Sequence, residues 1–355
     1  MRITFLSPAP SMAGGTRVIA IMARQLSARG HDVTVVATSW PKRSMREVFR
    51  DLKKGILVQP PLRSHLDGLP LKIIRLPDSG PITDAEVPDA DIVVATWWET
   101  AEWAKELSPS KGRKIYFVQG HEVFPNLPLD RCRATYRLPF PKIVVSRWLA
   151  EVMAEEYGDH DVHLVQNGVD HKQFFAPPRG RHAAPTVGFL YSTSEIKGGD
   201  VAMRVIGDLM RRNPGLRVVS FSTQEFKQAR RLGIEFHHHP PQAEIRDLYA
   251  ACDVWLSTSR SEGFNLPAME AMACRTPVVS TRTGWPKHGI VEGVTGHTAE
   301  IDDVDGLVGA VEKVLALEDA GWRAMSEAAF QSVAECTWER AVDEFEATLK
   351  KIAQS

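Results

Sequence analysis

The chain has little cysteine, no long apolar run and almost no net charge, and each absence excludes a class of protein. Its four cysteines, among 355 residues, lack the paired spacing of a disulfide framework or a zinc site, so we expect buried free thiols in a reducing compartment. No segment approaches the about eighteen consecutive apolar residues that cross a bilayer. A formal net charge of −1 argues against nucleic-acid binding, which usually needs a strongly basic domain.

The two halves of the chain repeat one pattern. Each half has a short β-branched strand, a loop that ends in Gly-Gly, a helix with apolar residues at a period of 3.6, and a second strand. The glycine pairs are Gly14-Gly15 and Gly198-Gly199. Strand, helix and strand in this order predict βαβ units on a parallel sheet. We therefore expect an α/β fold with two Rossmann-like, doubly wound domains.

A polar, proline-rich segment at residues 176–185 separates the halves and has no apolar period, as is typical of a linker. We predict an N-terminal domain over residues 1–170, a linker over 171–185 and a C-terminal domain over 186–336. A last helix is expected over residues 337–355. Two such domains joined by a hinge would place a ligand cleft between the carboxyl ends of their strands.

The most informative segment covers residues 261–273 and reads Ser-Glu-Gly-Phe-Asn-Leu-Pro-Ala-Met-Glu-Ala-Met-Ala. Asn265 suits the N-cap of a helix, and Pro267 suits its first turn, where the N–H that proline lacks would be unpaired. The free N–H groups and the positive helix end would then face one spot that suits a phosphate. Glu262 and Glu270 bracket that spot, and carboxylates bind hydroxyls well. Phosphate together with hydroxyls predicts a nucleotide sugar.

Taken alone, this segment also fits an ordinary strand-to-helix turn with a surface glutamate on either side. As a whole, Glu-Gly-Phe-x-Leu-Pro-x-x-Glu-Ala-Met-Ala resembles the signature of retaining glycosyltransferases of family 4. The resemblance covers nearly the whole chain and implies the GT-B architecture, in which two Rossmann-like domains face each other across a cleft. It also implies that the last helix, residues 337–355, crosses back to the N-terminal domain. It further implies that Glu270 binds the nucleotide ribose and Glu262 the donor sugar. The backbone amides that would hold the diphosphate and sugar are those of Gly263, Phe264, Asn265 and Leu266.

The same resemblance gives Lys197 a role and leaves one position in doubt. Lys197 stands at the Lys-Gly step where the family carries a phosphate-binding lysine; a solvated lysine is the alternative. The family usually adds an arginine after the glycine of the preceding strand, but Phe189 stands at that position here. Either Lys197 works alone, or Arg260 or Lys287 supplies a second cation.

Candidates in the first half follow strands. Gly14-Gly15 either lets the backbone approach a phosphate or sugar closely or only permits a tight turn. His121 follows a glycine at a strand end, near where family 4 members often carry a residue that contacts the donor sugar; a structural histidine is the alternative. Glu122 is a candidate to orient His121 or to face the acceptor, and Trp97-Trp98 to form a sugar platform. Packing explains both at least as well.

No metal site and no cofactor are predicted. His237, His238 and His239 are adjacent, but neighbouring side chains of an extended segment point apart, and Glu235 is the one nearby carboxylate at ligand spacing. Independence from metal ions is also what the GT-B resemblance implies.

One basic stretch leaves contact with a membrane open. Residues 42–54 carry six basic and two acidic side chains, with four apolar residues at helical spacing. The stretch fits either a helix packed on the sheet or a helix that lies on anionic lipid and brings the protein to a lipid-linked acceptor. The N-terminal strand, residues 1–8, is too short for a signal peptide. We predict a cytoplasmic protein, with peripheral contact at the inner face of a membrane as the second option.

Together with the family 4 resemblance, these residues predict a retaining, metal-independent hexosyltransferase that moves a sugar from a nucleoside diphosphate sugar to a sugar or lipid-linked acceptor, in glycan, polysaccharide or glycolipid biosynthesis. The predicted catalytic residues are Glu262, Lys197 and His121. The predicted donor-binding residues are Glu270, Gly263, Phe264, Asn265, Leu266, Gly14 and Gly15.

Other functions remain open on the same architecture. They are a sugar-nucleotide epimerase, a phosphorylase-like enzyme and a non-catalytic protein that binds a nucleotide sugar. An NAD oxidoreductase is disfavoured, because Gly14-Gly15 lacks the G-x-G-x-x-G spacing and no acidic residue ends the next strand.

Overall fold

The computed structural model describes residues 1–40 and 63–354. These residues divide into two compact units. The first unit comprises Met1–Val144, Met153–Val165 and Val342–Ser355, and the second comprises Val145–Val152 and Gln166–Ala341. The basic stretch at residues 42–54 lies outside the described residues.

The first unit is built on a seven-stranded sheet in the order β3-β2-β1-β4-β5-β6-β7. Its strands are β1 (Arg2–Ser7), β2 (Asp32–Ala37), β3 (Lys72–Arg75), β4 (Ile92–Ala95), β5 (Arg113–Val118), β6 (Lys142–Val144) and β7 (Val162–Leu164). The described helices that follow them are α1 (Gly14–Ala28), α2 (Trp98–Glu106), α3 (Leu129–Thr135) and α4 (Arg147–Tyr157), of which residues 147–152 belong to the second unit.

The second unit is built on a six-stranded sheet in the order β10-β9-β8-β11-β12-β13. Its strands are β8 (Thr186–Leu190), β9 (Arg217–Ser222), β10 (Ile234–His238), β11 (Val254–Ser257), β12 (Val278–Thr281) and β13 (Gly296–Ala299). The helices are α5 (Gly199–Arg212), α6 (Ile245–Ala250), α7 (Leu266–Ala273), α8 (Pro286–Gly289), α9 (Val304–Leu315) and α10 (Asp319–Val333), and α11 (Trp338–Gln354) follows them. In the described parts of the chain, no helix is long and apolar enough to cross a membrane.

Every strand pairing in both sheets is parallel, which confirms the predicted pair of doubly wound Rossmann-like sheets. The central strands are buried along nearly their whole length, as expected when helices cover both faces of a parallel sheet. The four cysteines are free thiols, and three of them are buried, as the sequence predicts.

Part of the predicted linker is bound to the second unit. The backbone N–H of His182 donates to a carboxylate oxygen of Asp253 at 3.0 Å, and its ring Nδ1 lies 2.9 Å from the same oxygen. Arg179 lies 4.4 Å above the ring of Trp322 and donates to the carbonyl oxygen of Cys252. These contacts fix the course of the chain just before β8.

The residues of α11 that belong to the first unit pack on its sheet through Phe345. The ring of Phe345 lies 6.2 Å from that of Phe5 on β1 and 4.9 Å from that of Phe117 on β5. The next residue, Glu346, accepts hydrogen bonds from Arg29 at 2.8 Å and from His31 at 3.1 Å, and it also pairs with Lys350. Aromatic packing and a group of ion pairs therefore hold this end of the helix.

We expect Glu346→Gln to destabilise the protein by about 1 kcal/mol at pH 7, because its ion pairs are partly exposed and screened by solvent. Hydrogen bonds from Lys350 and Arg29 lower the pKa of Glu346 from its ordinary 4.5 to about 2. A depressed folded-state pKa stabilises the protein above the unfolded pKa, and that stabilisation is lost as pH falls from 4.5 to 2. Urea unfolding of wild type and variant should therefore differ at pH 7 and converge near the lower limit. Glu335→Gln, an exposed control, should leave the free energy of unfolding at pH 7 unchanged.

Candidate active site

The predicted helix start at Asn265 is confirmed. Asn265 is the N-cap of α7, in the left-handed conformation with φ 79° and ψ 65°. Its side-chain oxygen accepts a hydrogen bond from the backbone N–H of Ala268, and its Nδ2 donates to the hydroxyl of Ser257 at 2.8 Å. Asparagine tolerates this backbone conformation better than most residues. The turn between β11 and α7 is therefore fixed by one side chain that bonds to both elements.

Glu262 lies in that turn and is held from three sides. Nζ of Lys197 lies 2.8 Å from each of its carboxylate oxygens, and the hydroxyl of Ser259 donates to one of them at 2.7 Å. The backbone N–H of Glu262 donates to the hydroxyl of Thr283 at 3.1 Å. The Glu262 side chain is 10% exposed and that of Lys197 is 36% exposed, so the carboxylate is shielded while the ammonium group reaches solvent.

Lys197, Glu262 and Asn265 line one pocket of the second unit, together with Ser257, Ser259 and other residues of β8 and β11. The structure thus brings together three residues that are distant in sequence, since Lys197 and Asn265 are 68 positions apart. The pocket offers a paired cation and carboxylate beside the start of a helix. A phosphate and a hydroxyl are the groups that these two charges bind best.

The glycine pair after Lys197 is required by close packing. Gly198 has φ +60°, and a Cβ there would lie 2.0 Å from the carbonyl oxygen of Thr258; a Cβ on Gly199 would lie 1.9 Å from that of Ser192. The hydroxyl of Thr258 also donates to the carbonyl oxygen of Gly198 at 2.9 Å. These contacts hold the turn that carries Lys197 against the loop that carries Glu262.

Glu270 lies within α7 and is 6% exposed. The hydroxyl of Tyr249, which is on α6, donates to Oε2 of Glu270 at 3.0 Å. A buried carboxylate needs such donors, because an unpaired charge in the interior is strongly destabilising. Glu270 is therefore ordered by a contact from a neighbouring helix.

Both cations proposed to replace the missing arginine form ion pairs in the structure. Phe189 is buried in the apolar core of the second unit. Arg260 binds the carboxylates of Asp200 and Asp302, each at 2.7 Å, and Lys287 binds Glu151 at 2.6 Å. In this structure both cations are engaged by carboxylates, and Lys197 is the lysine that lines the pocket.

The remaining predicted site residues, His121, Gly14 and Gly15, belong to the first unit. His121 lies among tyrosines: its Nε2 is 2.7 Å from the hydroxyl of Tyr157, and its ring is 5.5 Å from that of Tyr136. Burial lowers the pKa of His121 below its ordinary 6.5. Gly14 begins α1. Their roles in binding or catalysis stay predictions.

The side chains of Glu122 and Trp98 are packed in the interior of the first unit. Glu122 is 2% exposed, and one of its oxygens accepts hydrogen bonds from the backbone N–H of Trp98 at 2.7 Å and from the hydroxyl of Tyr116 at 3.3 Å. Burial raises the pKa of Glu122 well above its ordinary 4.5. Trp98 is itself buried, with Arg131 4.9 Å from its ring centre. Glu122 therefore fixes the start of α2, and Trp98 is not an exposed sugar platform.

Three residues of this site were missed in the sequence. Ser259 and Thr283 bind Glu262, and Tyr249 binds Glu270. Serine and threonine in short loops are too common to stand out, although Ser259 does lie just after the end of β11. Across residues 1–40 and 63–354, no cluster of three or more His, Cys, Asp or Glu side chains is arranged to hold a metal ion.

Two family models match the chain. A model described as "Glycosyltransferase Family 4" matches residues 12–173, and one described as "Glycosyl transferases group 1" matches residues 184–317. Among curated relatives, D-inositol 3-phosphate glycosyltransferase of Nocardiopsis dassonvillei is 30% identical over 225 residues. That match covers 55% of this chain and 52% of the relative, so the chain spans about half the length of the relative.

Solved structures share the fold over nearly the whole chain. Sucrose-phosphate synthase of Thermosynechococcus elongatus has a TM-score of 0.74 at 15% identity, and each chain is covered completely. Anabaena HepE in complex with UDP-glucose has a TM-score of 0.73 at 16% identity, with 99% of this chain and 100% of that chain covered. At such identities the likeness concerns the fold.

Two substitutions at Asn265 distinguish the contribution of its backbone conformation to stability from that of its side-chain hydrogen bonds. Asn265→Gly keeps the left-handed turn but removes the hydrogen bonds to Ser257 and Ala268, and we expect a loss of about 1 kcal/mol. Asn265→Ala removes the same bonds and adds the strain of a left-handed alanine, about 1 kcal/mol more. Urea unfolding measures both. Equal losses for the two variants would show that the backbone conformation contributes nothing.

Proposed function

We propose that this chain, which belongs with the family 4 glycosyltransferases of GT-B fold, transfers a hexosyl group from a nucleoside diphosphate sugar to an acceptor hydroxyl with retention of the anomeric configuration. The observation that carries this proposal is the contact of Lys197 with both oxygens of Glu262, at 2.8 Å each, beside the start of α7. It puts a cation for phosphate and a carboxylate for hydroxyls in one pocket.

The two charges have different partners when donor binds. Lys197 leaves Glu262 and binds the diphosphate, which also accepts hydrogen bonds from the backbone N–H groups of Gly263 to Leu266. Glu262, released from Lys197 but still bonded to Ser259, accepts hydrogen bonds from hydroxyls of the donor sugar. Glu270 accepts from the ribose. The pairing in the free protein keeps both side chains close to the positions that they need.

The reaction breaks the bond between C1 of the sugar and the diphosphate oxygen. The acceptor oxygen forms its bond to C1 on the same face, and the acceptor proton passes to the departing diphosphate. Negative charge grows on that diphosphate as the bond breaks, so Lys197 and the amides of the turn stabilise the transition state more than the bound donor. These groups supply the positive charge, and we propose that no metal ion is needed.

The donor class is supported by a structural neighbour, since Anabaena HepE is seen in complex with UDP-glucose. The curated relative is named for D-inositol 3-phosphate, and we propose for this chain an acceptor that is a sugar, a polyol or a lipid-linked glycan. Retention follows from the family 4 resemblance, and a role in glycan, polysaccharide or glycolipid biosynthesis follows from such an acceptor.

We expect Lys197→Met to lower kcat by about 10²- to 10³-fold, the range for loss of one group that stabilises transition-state charge. Glu262→Gln should lower kcat by about 10- to 10²-fold, the range for loss of a hydrogen bond to a charged group, because its amide replaces the carboxylate that accepts from the sugar hydroxyls. A thermal-shift screen with UDP, GDP, ADP and dTDP sugars first selects the donor, because a bound ligand raises the unfolding temperature. Transfer and donor hydrolysis are then measured with that donor, with and without EDTA, and NMR of the product reports its anomeric configuration.

Two exposed residues provide matched controls for these variants. Lys313→Met on α9 and Glu225→Gln should leave kcat unchanged, since neither residue lines the pocket. Full activity of Glu262→Gln and Lys197→Met would contradict the proposed site. Donor binding without transfer or hydrolysis would favour a binding protein, and epimerised donor would favour an epimerase. Loss of activity in EDTA would contradict metal independence.

Membrane contact through residues 42–54, which lie outside the described residues, stays a prediction and has a separate test. We expect co-sedimentation with vesicles rich in anionic lipid at low salt, weakening as salt screens the six basic side chains. Lys53→Glu with Lys54→Glu should reduce it, and zwitterionic vesicles are the control. Absence of binding to anionic vesicles at low salt would contradict the prediction.

A further inference from the structure

We propose that Tyr249 is a positioning residue that holds the Glu270 carboxylate for the ribose hydroxyls of the nucleotide. The inference rests on the ribose role proposed for Glu270. The hydroxyl of Tyr249 donates to Oε2 of Glu270 at 3.0 Å. Tyr249 is 1% exposed and Glu270 6%, so this bond is shielded from water and is stronger than a surface contact of the same length.

Tyr249 is itself held in place by aromatic neighbours. Its ring meets that of Trp255 edge to face, with centroids 4.7 Å apart, and that of Phe221 at 5.7 Å; Phe174 lies 6.1 Å away. Such contacts on several sides leave the phenol ring one orientation in a close-packed interior. The hydroxyl is therefore a fixed donor rather than one that adapts to Glu270.

The backbone of Tyr249 is anchored as well. Its carbonyl oxygen accepts a hydrogen bond from the hydroxyl of Thr276 at 2.8 Å. Thr276 lies just beyond the end of α7, the helix that carries Glu270. Tyr249 thus contacts the carboxylate of Glu270 on α7 and also Thr276, just past the end of that helix. These two contacts fix the distance between the Tyr249 hydroxyl and the Glu270 carboxylate.

A glutamate has three side-chain torsions, and ordering them costs conformational entropy. Because Tyr249 orients the Glu270 side chain in the free protein, this entropy is lost when the protein folds. It is not lost again when the ribose of a nucleotide binds. A carboxylate accepts about four hydrogen bonds, and Tyr249 uses one of them. A purely structural tyrosine would stabilise the fold without any preference for nucleotides that carry ribose hydroxyls.

The test uses nucleotides with and without those hydroxyls. UDP and GDP and their 2′,3′-dideoxy counterparts are titrated into wild type and Tyr249→Phe by calorimetry. We expect the variant to bind the ribonucleotide accepted by wild type about three- to tenfold more weakly, the range for one hydrogen bond to a charged group that acts indirectly. Binding of the dideoxy nucleotide, already weaker in wild type, should change by less than about twofold.

Tyr116→Phe is the matched control. It also removes a buried hydroxyl that donates to a carboxylate, that of Glu122 at 3.3 Å, but in the first unit. It should leave the affinity for all four nucleotides unchanged. Urea unfolding of both variants separates any general loss of stability from the change in affinity.

Each other outcome has a distinct meaning. Equal weakening for ribo and dideoxy nucleotides, or no weakening in Tyr249→Phe, overturns the positioning role while the proposed function stands. Glu270→Ala serves as the reference: if wild type and Glu270→Ala prefer the ribonucleotide equally, the ribose role of Glu270 is wrong, and the role of Tyr249 with it. If the wild type binds neither UDP nor GDP, the inference is wrong, and so is its premise that the protein binds a uridine or guanosine nucleotide.

Discussion

All six strands of the second sheet run parallel, so the loops that follow β8, β11 and β12 leave the same edge of the sheet. These three strands are neighbours, and each loop supplies one part of the site. Lys197 follows β8, Glu262 follows β11 and Thr283 follows β12. The contacts of Glu262 with both of the others depend on this arrangement. An antiparallel strand among the three would carry one of these residues to the opposite edge.

The charge balance of the site follows from which cations the surrounding carboxylates engage. Arg260 lies two residues from Glu262, yet Asp200 and Asp302 bind its guanidinium, and Phe189 adds core packing where family 4 members usually have an arginine. Lys197 is thus the cation at the pocket, and it pairs with Glu262. Since a diphosphate carries more than one negative charge, the backbone N–H groups at the start of α7 supply the remaining attraction in the proposed mechanism.

Much of the fold and the core of the site could be predicted from local patterns. Strand, helix and strand with Gly-Gly between them predicted parallel sheets, because periodicity reports which face of an element is buried. Asn265 and Pro267 predicted the start of α7, since capping depends on the few residues around it. Glu262 and Glu270 stood out because two carboxylates flank that helix start. These features depend on neighbours within about one helical turn.

Local sequence patterns indicated the type of each element and the residues with suitable chemistry, but they did not indicate which of these residues meet in the folded protein. Lys197 and Glu262 are 65 residues apart, and Tyr249 and Glu270 are 21 apart on separate helices. Glu122 is next to His121 in the sequence and was a candidate to orient it, yet its carboxyl group accepts a hydrogen bond from the start of α2. Arginine, lysine and glutamate have long, flexible side chains, so their partners are chosen by the packing of distant loops and by competition among nearby charges. Neither is encoded in a short stretch of sequence.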